Sequence, residues 1–305
     1  MDWIAEIDTA AGRIADHAQR TPVMHSAVLW DRPVALKLEQ MQHTGSFKAR
    51  GAFNTLLSQP VPAGGVVAAS GGNHGAAVAY AAMRTGHKAQ IFVPEMAGPA
   101  KIALIERTGA GLTVVPGQYA NALEAAQEYE ARTGAMQVHA YDAPATVAGQ
   151  GTCLREWEAQ GLDADTVLIA VGGGGLIAGA MAWLQGRRKV VAVEPETSQA
   201  LHTALAQGAP VDVEVSGVAA NALGARRIGR ICFELAQDWL GASVVVPDQA
   251  ITAAQRALWQ SHRILVEPAG ACALAALTSG AYVPEPDERV AVLVCGGNIA
   301  PDPLG

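Results

Sequence analysis

The stretch Thr44-Gly45-Ser46-Phe47-Lys48-Ala49-Arg50-Gly51 places one lysine where a short polar loop gives way to a helical pattern. Flanked by the apolar Phe47 and Ala49, the Lys48 ammonium is poorly placed for solvation. Poor solvation favours the neutral amine, and a neutral amine can form a Schiff base with a carbonyl. The same octapeptide would also suit an ordinary surface lysine that opens a helix.

Further segments could complete a site around it. Ser70-Gly71-Gly72-Asn73-His74-Gly75 follows an apolar run and opens a helix, an arrangement whose backbone N–H groups bind an anion such as a carboxylate. A helix start capped by Ser70 or Asn73 is the plainer alternative. Val167 to Gly179 reads as strand, glycine turn and helix, with Gly172, Gly173, Gly174 and Gly175 at the turn. Glycines permit close backbone approach, so N–H groups converging there can hold a phosphate without a charged side chain. The stretch lacks the order of a nucleotide triphosphate loop and matches a dinucleotide fingerprint only loosely, and a tight turn packed under a helix is the alternative. Val292 to Asn298 is a buried strand that ends at Cys295, two glycines and Asn298. Ligands of parallel sheets sit beyond such strand ends, although a buried structural cysteine is the commoner fate of that residue. Glu194 and Glu267 each precede a proline, as at an ordinary strand or helix terminus.

The elements that must position these residues follow from periodicity. Ile4, Ile7, Ala11, Ile14 and Ala18 predict a helix over 3–20, with Asp2 as its cap and Thr21-Pro22 as its end. A strand over 34–38 delivers the chain to the lysine stretch, and Ser46 can cap the helix that runs to about Leu57. Strands are predicted at 66–69, 89–93, 112–115 and 136–138, separated by helices at 73–84, 99–108 and 121–133 that close on Gly86, Gly109 and Gly134. The alternation resumes with a helix over 144–160 and strands at 166–171, 190–193, 243–246 and 290–294. Continuously apolar strands such as Val167 to Val171 are what parallel strands buried on both faces require. The expectation is an α/β protein of two domains with parallel-rich twisted sheets flanked by helices. Residues 1–64 and 143–305 form the large domain, and residues 65–142 an inserted small one.

The bulk composition narrows the partners. The chain has 305 residues and is 50% hydrophobic, enough to fill a sizeable core. A net charge of -7 gives no footprint for nucleic acid or an anionic membrane. The uncharged run from Val167 to Leu184 is long enough to imitate a membrane span, but its glycines read better as a turn between buried elements. Cys153, Cys232, Cys272 and Cys295 form no C-x-x-C pair, so neither zinc nor a disulfide framework is indicated. With no basic-then-apolar leader, a reducing cytoplasm is expected.

Leu36-Lys37-Leu38-Glu39 and the lysine stretch together resemble the lysine motif of the fold-type II pyridoxal phosphate enzymes, and most closely the serine and threonine dehydratases. The resemblance extends in order to Asn298. It implies a tryptophan synthase β-like fold, pyridoxal 5'-phosphate as cofactor, an amino-acid substrate, a homodimer and a place in amino-acid metabolism. It implies that Lys48 holds the cofactor covalently with Phe47 beside it, and that Gly172, Gly173, Gly174, Gly175 and Leu176 hold its phosphate. It places Cys295 against the pyridine nitrogen, where a neutral partner suits β-elimination, and puts Glu194 close to the cofactor. Ser70, Gly71, Gly72 and His74 are implied to grip the substrate carboxylate, with Asn73 on that loop touching the cofactor's ring oxygen.

Three departures refine the expectation. Serine racemases of this family have a second serine, acting as acid and base, where this chain has Gly71, and a glycine cannot deliver a proton. Many relatives have Ala-Asp-Gly where this chain reads Val215-Ser216-Gly217, so no divalent metal is expected. The chain ends soon after Asn298, which leaves no room for the regulatory domain of biosynthetic threonine dehydratases. The reaction expected is dehydration and deamination of a β-hydroxy amino acid such as L-serine or L-threonine. Racemisation or β-replacement on the same cofactor is the alternative, and a non-catalytic phosphate- or nucleotide-binding protein the alternative of another class.

Overall fold

The computed structural model describes residues 1–95, 99–117 and 119–299, leaving out the side chains of residues 99–101. Ten strands run in chain order: β1 Val23–Ser26, β2 Val34–Leu38, β3 Val66–Ala69, β4 Ala89–Pro94, β5 Gly111–Val115, β6 Met136–Gln137, β7 Thr166–Ala170, β8 Lys189–Pro195, β9 Leu240–Val246 and β10 Val290–Val294. They form a six-stranded sheet in the order β1-β2-β10-β7-β8-β9 and a four-stranded sheet in the order β5-β4-β3-β6. Every described pairing is parallel except β1 on β2.

Parallel pairing demands crossovers, and the helices between strands supply them. Strands β7 and β10 are buried at every position, so their Val, Leu, Ile and Ala side chains pack on both faces. One core gathers around this sheet and a second lies on the smaller one, where Ile91 and Val93 meet Ala77 and Val78 of the helix Asn73–Thr85. Gly86, Gly109 and Gly134 all take positive φ, as expected of residues that close helices. The uncharged run around 167–184 resolves into β7, a turn and the ten-residue helix Gly175–Leu184. Among the described residues, no helix is long and apolar enough to cross a membrane.

Three local expectations fail for tertiary reasons. The first helix, capped by Asp2 as expected, covers Trp3–Ile14 and not 3–20. Beyond its end, the Gln42 side chain accepts from the Gln19 amide at 2.9 Å and donates to its carbonyl at 2.7 Å, holding that segment in a non-helical course. Strand β1 escapes the periodicity because it is a short edge strand whose register, Val23 opposite Lys37 and Ser26 opposite Val34, is set by its partner. Ser46 does not cap the helix Lys48–Leu57, because Phe47 holds the cap position and no side chain makes a capping hydrogen bond.

Candidate active site

Lys48 is the first residue of its helix, and the loop before it is stitched to the end of β10. The Gly297 amide donates to the Gly45 carbonyl at 2.9 Å, and the Phe47 amide donates to the Cys295 carbonyl at 3.2 Å. Thr44 sits in the left-handed region at φ 59°, a strained conformation for a β-branched residue. Asn298 helps to hold it there, donating from Nδ2 to the Thr44 carbonyl at 2.7 Å.

A buried ion cluster fixes the other side of the loop. Arg50 makes a two-pronged contact with Glu39, at 2.8 Å from Nε and 2.7 Å from a terminal nitrogen, and reaches Glu156 at 3.0 Å. Lys37 donates to Glu156 at 2.5 Å and to Gln160 at 2.7 Å. Two cations meet two carboxylates, so no buried charge is left uncompensated. Burial works against ionisation of Glu39, but the Arg50 guanidinium prevails and holds it below the usual carboxylate range.

The Lys48 side chain reaches a cleft lined also by Phe47, Asn73, Tyr141, Glu267 and Cys295, with Gly172, Gly173, Gly174, Gly175 and Leu176 along one wall. The Lys48 amine donates to the Ala140 carbonyl at 2.7 Å and lies over the Phe47 ring. Desolvation lowers its pKa to about 8, opposed by the neighbouring Cys295 sulphur. This is the shift towards neutral amine expected from the sequence.

At the glycine wall, Gly174 takes φ +92° as the cap of the helix Gly175–Leu184, and no side chain caps that end. A Cβ on Gly173 would lie 2.3 Å from the Tyr141 ring, and one on Gly174 would lie 2.5 Å from the Cys232 Sγ. The wall therefore stays bare, and the open helix N-terminus presents N–H groups to the cleft. Burial pushes the Cys295 thiol well up, and its sulphur donates to the Ala269 carbonyl at 3.3 Å. It offers a ring nitrogen a neutral neighbour.

The Ser70 to Gly75 turn follows β3 into the helix Asn73–Thr85. Neither Ser70 nor Asn73 caps that helix: Gly72 is at the cap, and Ser70 Oγ instead accepts from the Gly72 amide at 3.2 Å. The first-turn N–H groups thus remain open to an anion. His74 donates through Nε2 to the Val138 carbonyl at 2.8 Å, which requires its proton there. Burial, with the Lys48 charge adding to it, pushes its pKa down to about 3, so it is neutral.

Of the residues singled out in the sequence, Phe47, Lys48, Asn73, Gly172 to Gly175, Leu176 and Cys295 line the cleft together. Ser70, Gly71, Gly72 and His74 stand beside Asn73 on its turn without lining the cleft. Glu194 does not line the cleft and takes the plainer of its two readings, a residue at an element's terminus. Its carboxylate accepts from the Leu201 and His202 amides at 2.8 and 2.7 Å, so it holds the start of the helix Ala200–Gln207. The cleft carboxylate is Glu267. Sequence reasoning misses Tyr141 altogether, since an isolated tyrosine after β6 gives no spacing signal. Burial pushes its hydroxyl up to about 12.

The chain matches the family described as "Pyridoxal-phosphate dependent enzyme" over residues 14–296. The chain belongs to that family. Like its relatives, it is a pyridoxal-phosphate enzyme of the dehydratase and ammonia-lyase group, of fold type II. It is 36% identical to the phenylserine dehydratase of Ralstonia pickettii, covering 94% of this chain and 90% of the relative. Among solved structures it is similar to a T.th. threonine deaminase, at 34% identity and a TM-score of 0.92, covering 98% of this chain and 99% of the other. It is also similar to maize serine racemase, at 29% identity and a TM-score of 0.92, covering 98% and 94%. The bare glycine wall, the open helix end and the desolvated lysine fit this family's cofactor in chemistry.

Proposed function

We propose that this enzyme removes water from a β-hydroxy amino acid and releases a 2-oxo acid and ammonia. L-Serine and L-threonine are the simplest members of that substrate class, and the Ralstonia relative extends it to a β-aryl substituent. The observation that carries the reading is Lys48 itself, an amine held near neutrality in a cleft with an open helix end and a neutral thiol. We also propose that residues 1–64 with 143–305 form the cofactor-binding domain and residues 65–142 a smaller one, a division supported by the separate origins of the two sheets.

In this reading Gly172, Gly173, Gly174, Gly175 and Leu176 hold the cofactor phosphate, Asn73 meets the ring oxygen, Cys295 faces the ring nitrogen, and Phe47 and Lys48 bound the reacting side. When bound, pyridoxal phosphate supplies an aldehyde that condenses with amines and a ring that delocalises the electron pair of a broken Cα–H bond. The turn Ser70-Gly71-Gly72, with His74, orients the substrate carboxylate on the open N–H groups of its helix. The Lys48 amine, displaced by the substrate's own amine, is the base that takes the α-proton. Cys295, held as a thiol, places no negative charge at the ring nitrogen, which favours loss of the β-hydroxyl over prolonged carbanion lifetime.

Racemisation is the second reading, favoured by the likeness to maize serine racemase. It needs a proton donor on the face opposite Lys48, and Gly71 has none to give. The test is to supply L-serine, L-threonine and phenylserine to the loaded enzyme and follow 2-oxo acid, ammonia and the D-enantiomer together. Equimolar 2-oxo acid and ammonia is the expected result. Accumulation of D-amino acid without 2-oxo acid would replace elimination by racemisation.

A further inference from the structure

Asn73 is held from both ends of its amide. Its Nδ2 donates to Glu267 Oε1 at 2.5 Å, and its Oδ1 accepts from Asn298 Nδ2 at 2.8 Å. Glu267 is 3% exposed. Asn298 is anchored in turn by its bond to the Thr44 carbonyl. Two chain segments therefore converge on the Asn73 side chain, the start of the helix Pro268–Thr278 and the turn after β10, and the second is tied in turn to the lysine loop.

The backbone makes room for this arrangement. A Cβ on Gly296 would stand 2.1 Å from Glu267 Oε1, and one on Gly45 would stand 2.4 Å from Asn298 Oδ1. Any side chain at either position would displace the clamp.

An amide can be reversed by a half-turn, exchanging its donor and acceptor ends. Here the reversed form would set a carbonyl oxygen against the Glu267 carboxylate and an NH2 group against the Asn298 NH2 group. Both hydrogen bonds would be lost and both contacts would become repulsive. We infer that Glu267 and Asn298 are positioning residues that lock the Asn73 amide so that it presents an N–H, and never its carbonyl, to the ring oxygen of the bound cofactor. This rests on the proposed role of Asn73. An N–H facing that oxygen stabilises it as an anion.

The experiment compares the wild type with Glu267→Gln, Asn73→Asp and the double variant Asn73→Asp/Glu267→Gln. Urea unfolding is measured on the apoenzymes. The ratio of visible to near-ultraviolet absorbance, which reports the anionic against the protonated ring oxygen, is measured on the loaded enzymes. Asn73→Asp alone sets two carboxylates against each other and is expected to lower both the unfolding midpoint and the ratio. In the double variant the amide at 267 donates to the carboxylate at 73, so the clamp is remade with its direction reversed. Its unfolding midpoint is expected to return towards wild type, while the absorbance ratio stays at least twofold low for want of the N–H. Glu267→Gln alone removes the orientation preference at that end and leaves it to the Asn298 bond, so it is expected to lower the ratio less than Asn73→Asp does, with little change in unfolding.

If the ratio recovers together with stability in the double variant, or is unchanged in Glu267→Gln, the clamp is only structural and the inference falls. A wild-type protein that gains no visible band on loading would overturn the cofactor reading and this inference with it. A normal wild-type band with insensitive variants overturns this inference alone.

Discussion

Gly174→Ala tests whether the phosphate wall is held open by packing. Gly174 has φ +92°, and a Cβ there would meet Cys232 Sγ at 2.5 Å, Cys232 Cβ at 2.6 Å and Ile228 Cδ1 at 2.8 Å. The left-handed backbone alone costs about 1–2 kcal/mol for a residue with a Cβ. Overpacking against a buried cysteine and isoleucine adds about 1–3 kcal/mol. The expected loss is therefore about 2–5 kcal/mol. Gly280→Ala is the control, because Gly280 has φ +75° but nothing within 4 Å of the new Cβ, so only the backbone part, about 1–2 kcal/mol, should appear. Urea unfolding of the two apoenzymes reads the difference. In the same proteins, Gly174→Ala should weaken pyridoxal phosphate at least ~10-fold, about 1.4 kcal/mol. Binding of pyridoxal, which lacks the phosphate, should change little. The reasoning fails if Gly174→Ala costs no more than Gly280→Ala, or if both ligands weaken equally.

Two further predictions concern pH. With the Lys48 pKa at about 8, roughly a quarter of the amines are neutral at about pH 7.5, against about one in a thousand for an ordinary lysine. Covalent capture of pyridoxal phosphate by the apoenzyme should then slow roughly 8-fold between about pH 7.5 and 6.5 and level off above about pH 9; stopped-flow absorbance checks this, and a rise continuing past about pH 10 would contradict it. Glu194 has its pKa raised to about 7 by burial, against the backbone amides that favour its ionised form. The folded state therefore binds more protons than the unfolded chain between the unfolded carboxylate value and about 7, so this group's contribution to stability falls as pH rises through that window and is flat above it. The wild-type minus Glu194→Gln difference in unfolding free energy should change by about 3–4 kcal/mol at most across the window, and a difference independent of pH would refute the assignment.

Much of this architecture is legible in the sequence because its signals are local. Parallel strands buried on both faces need unbroken apolar runs, and β7 and β10 show them. The four glycines and Cys295 follow the ends of β7 and β10, and Lys48 opens the helix reached from β2, so their places along the chain already put them beyond the carboxyl ends of the strands. What escapes is set by distant partners. Strand β1 exists because β2 offers it an edge, and the segment after the first helix is held by Gln42, which bonds the Gln19 backbone. The sequence treats Glu194 and Glu267 alike, each a carboxylate before a proline. Only the fold decides that Glu194 meets the backbone of the next helix while Glu267 reaches Asn73 in the cleft.

The central claim is that Lys48 is the residue that joins the cofactor. Its most direct test is to load the protein with pyridoxal phosphate, reduce the adduct with borohydride, digest it and locate the modified residue by mass spectrometry. The account predicts stoichiometric modification at Lys48, with none in Lys48→Ala. Modification at another lysine, or an equal yield from Lys48→Ala, would contradict it.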